Sequence, residues 1–287
     1  MLPLHFIVLL AGIQGLSEAL PVSRSGHDAV AWLWLEPGVS AARLETVLHL
    51  ATAAALVVAA RRRLIAAVGA GLLAITRPAL FRSSAPAHDA AVLVTAIVTS
   101  LLSRAAIDHV AAPWKATPVA VGFGLLLTGL LLGTTMLVRE KVPRENAGER
   151  SRAHEPALAL AFVLGLGHGM ATLPGGSDMG TALVLLCWMG TKNDLALDLA
   201  MLLSAAALIA NCVGAFHSGL VLPDISWPAW MMAFGTAFLG TTVAIGATRT
   251  LLEKRALALI ACWIVPLGLA TLAYSRASSE GLSLITF

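Results

Sequence analysis

The sequence predicts an all-α polytopic membrane protein built as an inverted-topology repeat, each half a re-entrant helix pair followed by three transmembrane helices. Three observations lead there. First, 58% of the 287 residues are hydrophobic and 12% charged, with a mean hydropathy of +0.84. Soluble domains carry about a quarter charged residues, so a soluble globular class is excluded. Second, six apolar stretches approach the roughly 20 residues a helix needs to cross a bilayer: 44–60, 88–107, 116–138, 195–216, 228–248 and 256–275. Third, regions 4–35 and 156–190 are each a pair of shorter apolar runs, broken by "LPVSRSGH" in one and "LPGGSDMG" in the other.

The elements follow in chain order. Neither half of region 4–35 is long enough to span, so it is expected to enter and leave by one side as a re-entrant helix–turn–helix. No Lys or Arg precedes its apolar run, and Gln14 and Glu18 interrupt it, which argues against a cleaved signal peptide. Spans 44–60, 88–107 and 116–138 complete a first repeat, 1–138. Region 156–190 and spans 195–216, 228–248 and 256–275 make a second, 156–275, within a single membrane domain, 1–287.

Loop charge supports this path, because Lys and Arg concentrate in cytoplasmic loops. Segments 61–87, 139–155, 191–194 and 249–255 hold fourteen of them, whereas the opposite side holds Arg43, Lys115 and Arg276. The same rule accounts for the pI near 9, so no nucleic-acid partner is expected. Three spans per half make the second half enter from the other face, and the broken segments superpose at an offset of 154 residues, Gln14 on His168, Ser23 on Ser177, Arg24 on Asp178 and Gly26 on Gly180.

In such folds the broken segments meet near the midplane. Gln14 and Glu18, one helical turn apart, project toward one point, and His27 follows just after the turn. Charge at membrane depth is costly unless paired or hydrated, which marks Glu18 as functional. Ser23, Ser25 and Gly26 open a helix whose N-terminal amides suit a phosphate; ordinary capping is the simpler reading of the serines alone. Glu45 and His49 begin a span, where interfacial snorkelling competes with a place in the cavity. His168 reads as a hydrogen-bonded core histidine. Cys187, Cys212 and Cys262 read as small hydrophobes, and Trp32, Trp34, Trp227 and Trp230 as an interfacial belt.

The stretches "GIQGLSEALPVSRSGH" and "GLGHGMATLPGGSDMG" resemble the two signatures of the bacterial undecaprenyl-diphosphatase family, the bacitracin-resistance type of membrane phosphatase. "LETVLHLATAAALVVAARRRL" and "FGTAFLGTTVAIGATRTLL" are similar to two of its helices. The resemblance implies hydrolysis of a polyprenyl diphosphate lipid, the C55 carrier of wall synthesis, by a multi-pass protein of the bacterial inner membrane, with a homodimer among its arrangements. It implies catalytic roles for Glu18, Ser23 and His27, the last as nucleophile or general acid, and this chain's own Arg24 is expected to act with them. It implies substrate contacts from Gln14, Ser25, Gly26, Ser177 and Gly180, with this chain's own Asp178 expected beside them, and a divalent cation, Mg²⁺ or Ca²⁺, at Gln14 and Glu18.

Two positions depart from the family pattern. Its second signature usually carries Arg-Ser where this chain has Asp178 and Met179, and its first has Ser or Thr where this chain has Arg24. The two exchanged charges are expected to approach each other near the pseudo-twofold axis, with Arg24 clamping phosphate and Asp178 orienting it or binding metal. The alternatives are an Arg24–Asp178 pair that locks an inactive homologue, and a non-hydrolytic polyprenyl-phosphate transporter or flippase.

Overall fold

Apolar runs and proline breaks set the helix boundaries. The structure, a computed structural model, describes residues 3–35, 39–111, 117–138, 158–219 and 225–279. All its regular elements there are helical: α1 (Leu4–Ala19), α2 (Arg24–Leu35), α3 (Val39–Thr76), α4 (Leu80–Ser83), α5 (Ala85–Ala111), α6 (Pro118–Gly133), α7 (Leu158–Met170), α8 (Asp178–Trp188), α9 (Asn193–His217), α10 (Trp227–Glu253) and α11 (Ala261–Ser279). Short 3₁₀ turns extend α6 through Thr134–Leu137 and precede α11 at Leu257–Ile260.

Among the described residues five helices are long and apolar enough to cross a membrane: Ala85–Ala111, Pro118–Leu137, Asn193–His217, Trp227–Glu253 and Leu257–Ala277. They match five of the six expected spans. The sixth needs correction. Residues 44–60 are not a span ending at an arginine loop; they lie inside α3, whose 38 residues run through Arg61, Arg62 and Arg63. The Ala- and Leu-rich sequence on both sides keeps the helix going. Arg63 is matched by Asp89 of α5 and, at 2.9 Å, by Asp198 of α9, while Arg61 and Arg62 are exposed. Pro78 then excludes helical geometry for its predecessor, and α3 stops at Thr76.

α1, α2, α7 and α8 have 16, 12, 13 and 11 residues, each about 24 Å long or less. α1 packs on α10, α7 on α5, α6 on α11, and α3 on α9. Small residues permit the close crossings. A Cβ on Gly15 would strike the carbonyl of Ala237 on α10, and one on Gly169 would strike the carbonyl of Ser100 on α5. The principal core, including Leu56, Leu93, Leu164, Leu183 and Leu199, lies among α3, α5, α7, α8 and α9. A second cluster joins α1, α3 and α10 through Ile7, Leu48 and Ala233.

Cys212 is buried, and its Sγ lies 3.4 Å from the carbonyl of Thr46; all three cysteines are free. Trp227, at the start of α10, is 74% exposed, as an interfacial belt needs. The side chains of Trp32 and Trp34, and the basic residues between 139 and 155, lie outside the described residues.

Candidate active site

Pro21 ends α1 by holding Leu20 extended (ψ 141°), and the chain turns at Ser23, a non-glycine residue at φ 66°. The Gly26 amide donates to Ser23 Oγ at 3.1 Å and so caps α2. The second broken segment turns through Pro174 and Gly175, whose φ of 78° favours glycine. There the Gly180 amide donates to Ser177 Oγ at 3.0 Å and caps α8. The two turns are stitched together: the hydroxyls of Ser23 and Ser25 donate to the carbonyl of Gly176, at 2.9 and 3.3 Å. Residues some 150 positions apart thus meet, as the sequence predicts.

Where they meet lies a polar cavity of about 40 Å³, lined by Glu18, Arg24 and Ser25 of the first segment, Ser177 and Asp178 of the second, and Arg104 of α5. First-turn residues of both α2 and α8 line it, so two helix N-termini add their partial positive charge. Arg24 sits among three carboxylates: Nε is 3.0 Å from Glu18 Oε2, and Nη1 is 3.1 Å from Asp28 Oδ2 and 3.0 Å from Glu45 Oε1. The contact to Glu18 is an ion pair without hydrogen-bond alignment, and Glu18 Oε2 is buried without a hydrogen-bond partner. Asp178 Oδ2 accepts from Arg104 Nη1 at 2.7 Å.

Arg24 and Asp178 therefore approach each other as expected, but no ion pair joins them. Both line one cavity, but each is neutralised by other residues, Arg24 from its own half of the chain and Asp178 by Arg104. His27 is placed elsewhere. Its Nδ1 lies 2.9 Å from the Ser23 carbonyl and its Nε2 receives the Trp263 indole N–H at 2.9 Å, so both ring nitrogens are engaged away from the cavity. Ser23 is fully buried, its hydroxyl committed to Gly176, and the Gly26 and Gly180 amides are spent on caps. Gln14 is buried, does not line the cavity, and leaves Nε2 unpartnered. His168, its counterpart, lies 2.8 Å from Ser100 Oγ and 3.4 Å from Ser204 Oγ, a core histidine as read from the sequence.

The donor set does not fit a resident divalent cation at Gln14 and Glu18. Among the described residues no three His, Cys, Asp or Glu side chains gather as a metal-holding group, and a guanidinium already faces the Glu18 carboxylate.

Sequence reasoning missed Arg104 and Asp28 and undervalued Glu45. A signal for Arg104 was present: of the 19 Lys and Arg residues, the loop assignment places all but Arg24 and Arg104, and Arg104 falls inside an apolar span.

The family model described as "Bacitracin resistance protein BacA" matches residues 7–270. The chain belongs to that family. Among its relatives, an undecaprenyl-diphosphatase of Rubrobacter xylanophilus is 31% identical over 85% of this chain and 86% of its own. Undecaprenyl-diphosphatase 1 of Rhodospirillum rubrum is 30% identical over 93% of each chain, and an undecaprenyl-diphosphatase of Treponema denticola 24% identical over 93% of this chain and 96% of its own. With five membrane-capable helices among its described residues, this BacA-family chain is a multi-pass membrane protein.

Proposed function

We propose that the chain is a hydrolase that cleaves undecaprenyl diphosphate, or a close polyprenyl diphosphate, to the monophosphate and inorganic phosphate, recycling the lipid carrier of wall synthesis in the bacterial inner membrane. Family membership and relatives named undecaprenyl-diphosphatase support it, and they do not favour the transport or inactive alternatives. The observation that carries the site assignment is Glu18 Oε2, a buried carboxylate oxygen without a hydrogen bond in a cavity shared with two guanidiniums.

In the mechanism the guanidiniums hold the diphosphate and stabilise charge on its oxygens. A water attacks the terminal phosphorus as Glu18 takes its proton. The bond from that phosphorus to the bridging oxygen breaks, and the electron pair leaves on the lipid monophosphate. Ser177 and Ser25 border the cavity as polar contacts for the phosphoryl oxygens. His27 is left as a positioning residue that ties α2 to Trp263. Four carboxylates around the site, Glu18, Asp28, Glu45 and Asp178, face two arginines. A Mg²⁺ or Ca²⁺ used in the reaction would enter with the diphosphate as its counter-ion, because no group of three His, Cys, Asp or Glu among the described residues would hold it.

The inverted repeat and its re-entrant pairs are part of this reading. Its support is the pairing of elements: α1 on α10 mirrors α7 on α5, and the Gly15 and Gly169 contacts and the two serine caps recur at the offset of 154. Helices as short as α1, α2, α7 and α8 do not reach across about 30 Å, which favours re-entry. Phosphate release from farnesyl or undecaprenyl diphosphate by the purified protein tests the activity. Glu18→Gln should lower kcat by about 100-fold or more while the protein stays folded; full activity in that variant removes Glu18 as the base.

A further inference from the structure

Two arginines reach the cavity, and they are not equivalent. Arg24 has three carboxylates within 3.1 Å, so its charge is more than offset before any ligand arrives. Among the described residues Arg104 is matched by Asp178 alone, through Nη1. It is 7% exposed and lines the cavity shared with Glu18 and Ser177. A guanidinium carries five N–H donors, and one carboxylate leaves most of them unanswered. The charge is also specific to one half of the fold: Arg104 stands one turn past Ser100 in α5, where α10 has Thr241 one turn past Ala237, and Thr241 bonds back to its own helix.

We propose that Arg104 is the principal diphosphate-binding side chain of this site, held in aim by Asp178, which acts as its positioning residue. The ligand class is a lipid diphosphate headgroup, and the inference rests on the reading of the cavity as a diphosphate site. Exchange of sign at position 178 is then coherent: an acidic residue there supplies no grip itself but fixes a cation brought in on α5. The planar fork of Arg104 suits two oxygens of one phosphoryl group, which a lysine cannot match.

The competing role is purely structural, an ion pair fastening α5 to α8, and the double variant Arg104→Met with Asp178→Leu separates the two. Apolar partners of similar volume commonly replace a buried pair without loss of stability, so this variant should unfold near the wild-type temperature. Its KM for farnesyl diphosphate should nonetheless rise by at least about tenfold. Arg104→Lys, which keeps the charge, should raise KM about threefold to tenfold with a smaller change in kcat. Asp178→Asn should raise KM less than Arg104→Met does. A double variant with wild-type KM overturns the proposal, and if that variant does not fold, an unchanged KM in Arg104→Lys overturns it instead. Should the wild-type protein release no phosphate, the hydrolase reading falls. Titration calorimetry with farnesyl diphosphate then decides this inference separately, affinity lost in Arg104→Met supporting it and equal affinity overturning it.

Discussion

The two broken segments use one capping device and opposite charges. In each, a serine at the turn accepts the amide of the glycine three residues on. Beyond that they diverge. The first puts Arg24 at the head of α2 and surrounds it with Glu18, Asp28 and Glu45; the second puts Asp178 at the head of α8 and answers it with Arg104. An acidic residue in the first turn suits the helix dipole, whereas an arginine there opposes it and needs carboxylates close by. The difference teaches that the two segments share backbone roles, caps and close crossings, while charge is balanced locally within each environment.

The largest expected effect of breaking this arrangement is at Arg24. Arg24→Ala leaves Glu18, Asp28 and Glu45 without their shared cation; only Glu18 is fully buried, so solvent screening should hold the loss to at most about 3 to 5 kcal/mol, the cost in a buried charge network. Thermal unfolding in detergent checks it, and a change under about 1 kcal/mol would mean that the cluster is already well solvated. Next come the crossings. Gly15→Val and Gly169→Val each drive a side chain into a facing carbonyl, an overpacking of about 1 to 3 kcal/mol. Equal losses sharpen the correspondence of the two segments, and a large inequality breaks it.

A pair of mutant cycles probes the charges directly. Arg104 and Asp178 are in contact, so the cycle of Arg104→Met and Asp178→Asn should show coupling of about 0.5 to 3 kcal/mol in kcat/KM. The cycle of Arg24→Ser and Asp178→Arg, which moves the positive charge from the first turn to the second, should couple less, because Arg24 and Asp178 have separate partners. Stronger coupling in the second cycle would place the decisive contact between the two turns instead of between α5 and α8.

The smallest effects are at the caps. Ser177→Gly should cost a few tenths of a kcal/mol. Ser23→Gly loses the same cap and the bond to Gly176 but relieves a left-handed serine backbone, so its net effect should stay within about 1 kcal/mol. Unfolding midpoints of the two variants would show whether the strain at Ser23 matters.

Much of this was legible from residue order. Hydropathy located five of the spans within a few residues, since the length of an apolar run is set by bilayer thickness. The polar interruptions located both broken segments, and an acidic side chain at membrane depth singled out Glu18. The sixth span was misread because three consecutive arginines look like a loop, although a helix passes through them once Asp89 and Asp198 answer Arg63. The placement of the His27 ring against Trp263 was not legible, because adjacency to a motif says nothing about which way a ring faces.

By itself, then, the sequence determined the membrane class, the helical segments, the two turns and the residues able to carry charge into the bilayer, because local hydrophobicity, proline geometry and glycine freedom act over a few neighbouring residues. Only the tertiary structure decided which charges meet. Arg104 finds Asp178 across 74 positions, and Ser23 finds Gly176 across 153. Such partners are chosen by the crossing of α5 with α7 and by the seating of one turn against the other, and the distances that fix an ion pair exist only once those helices have packed.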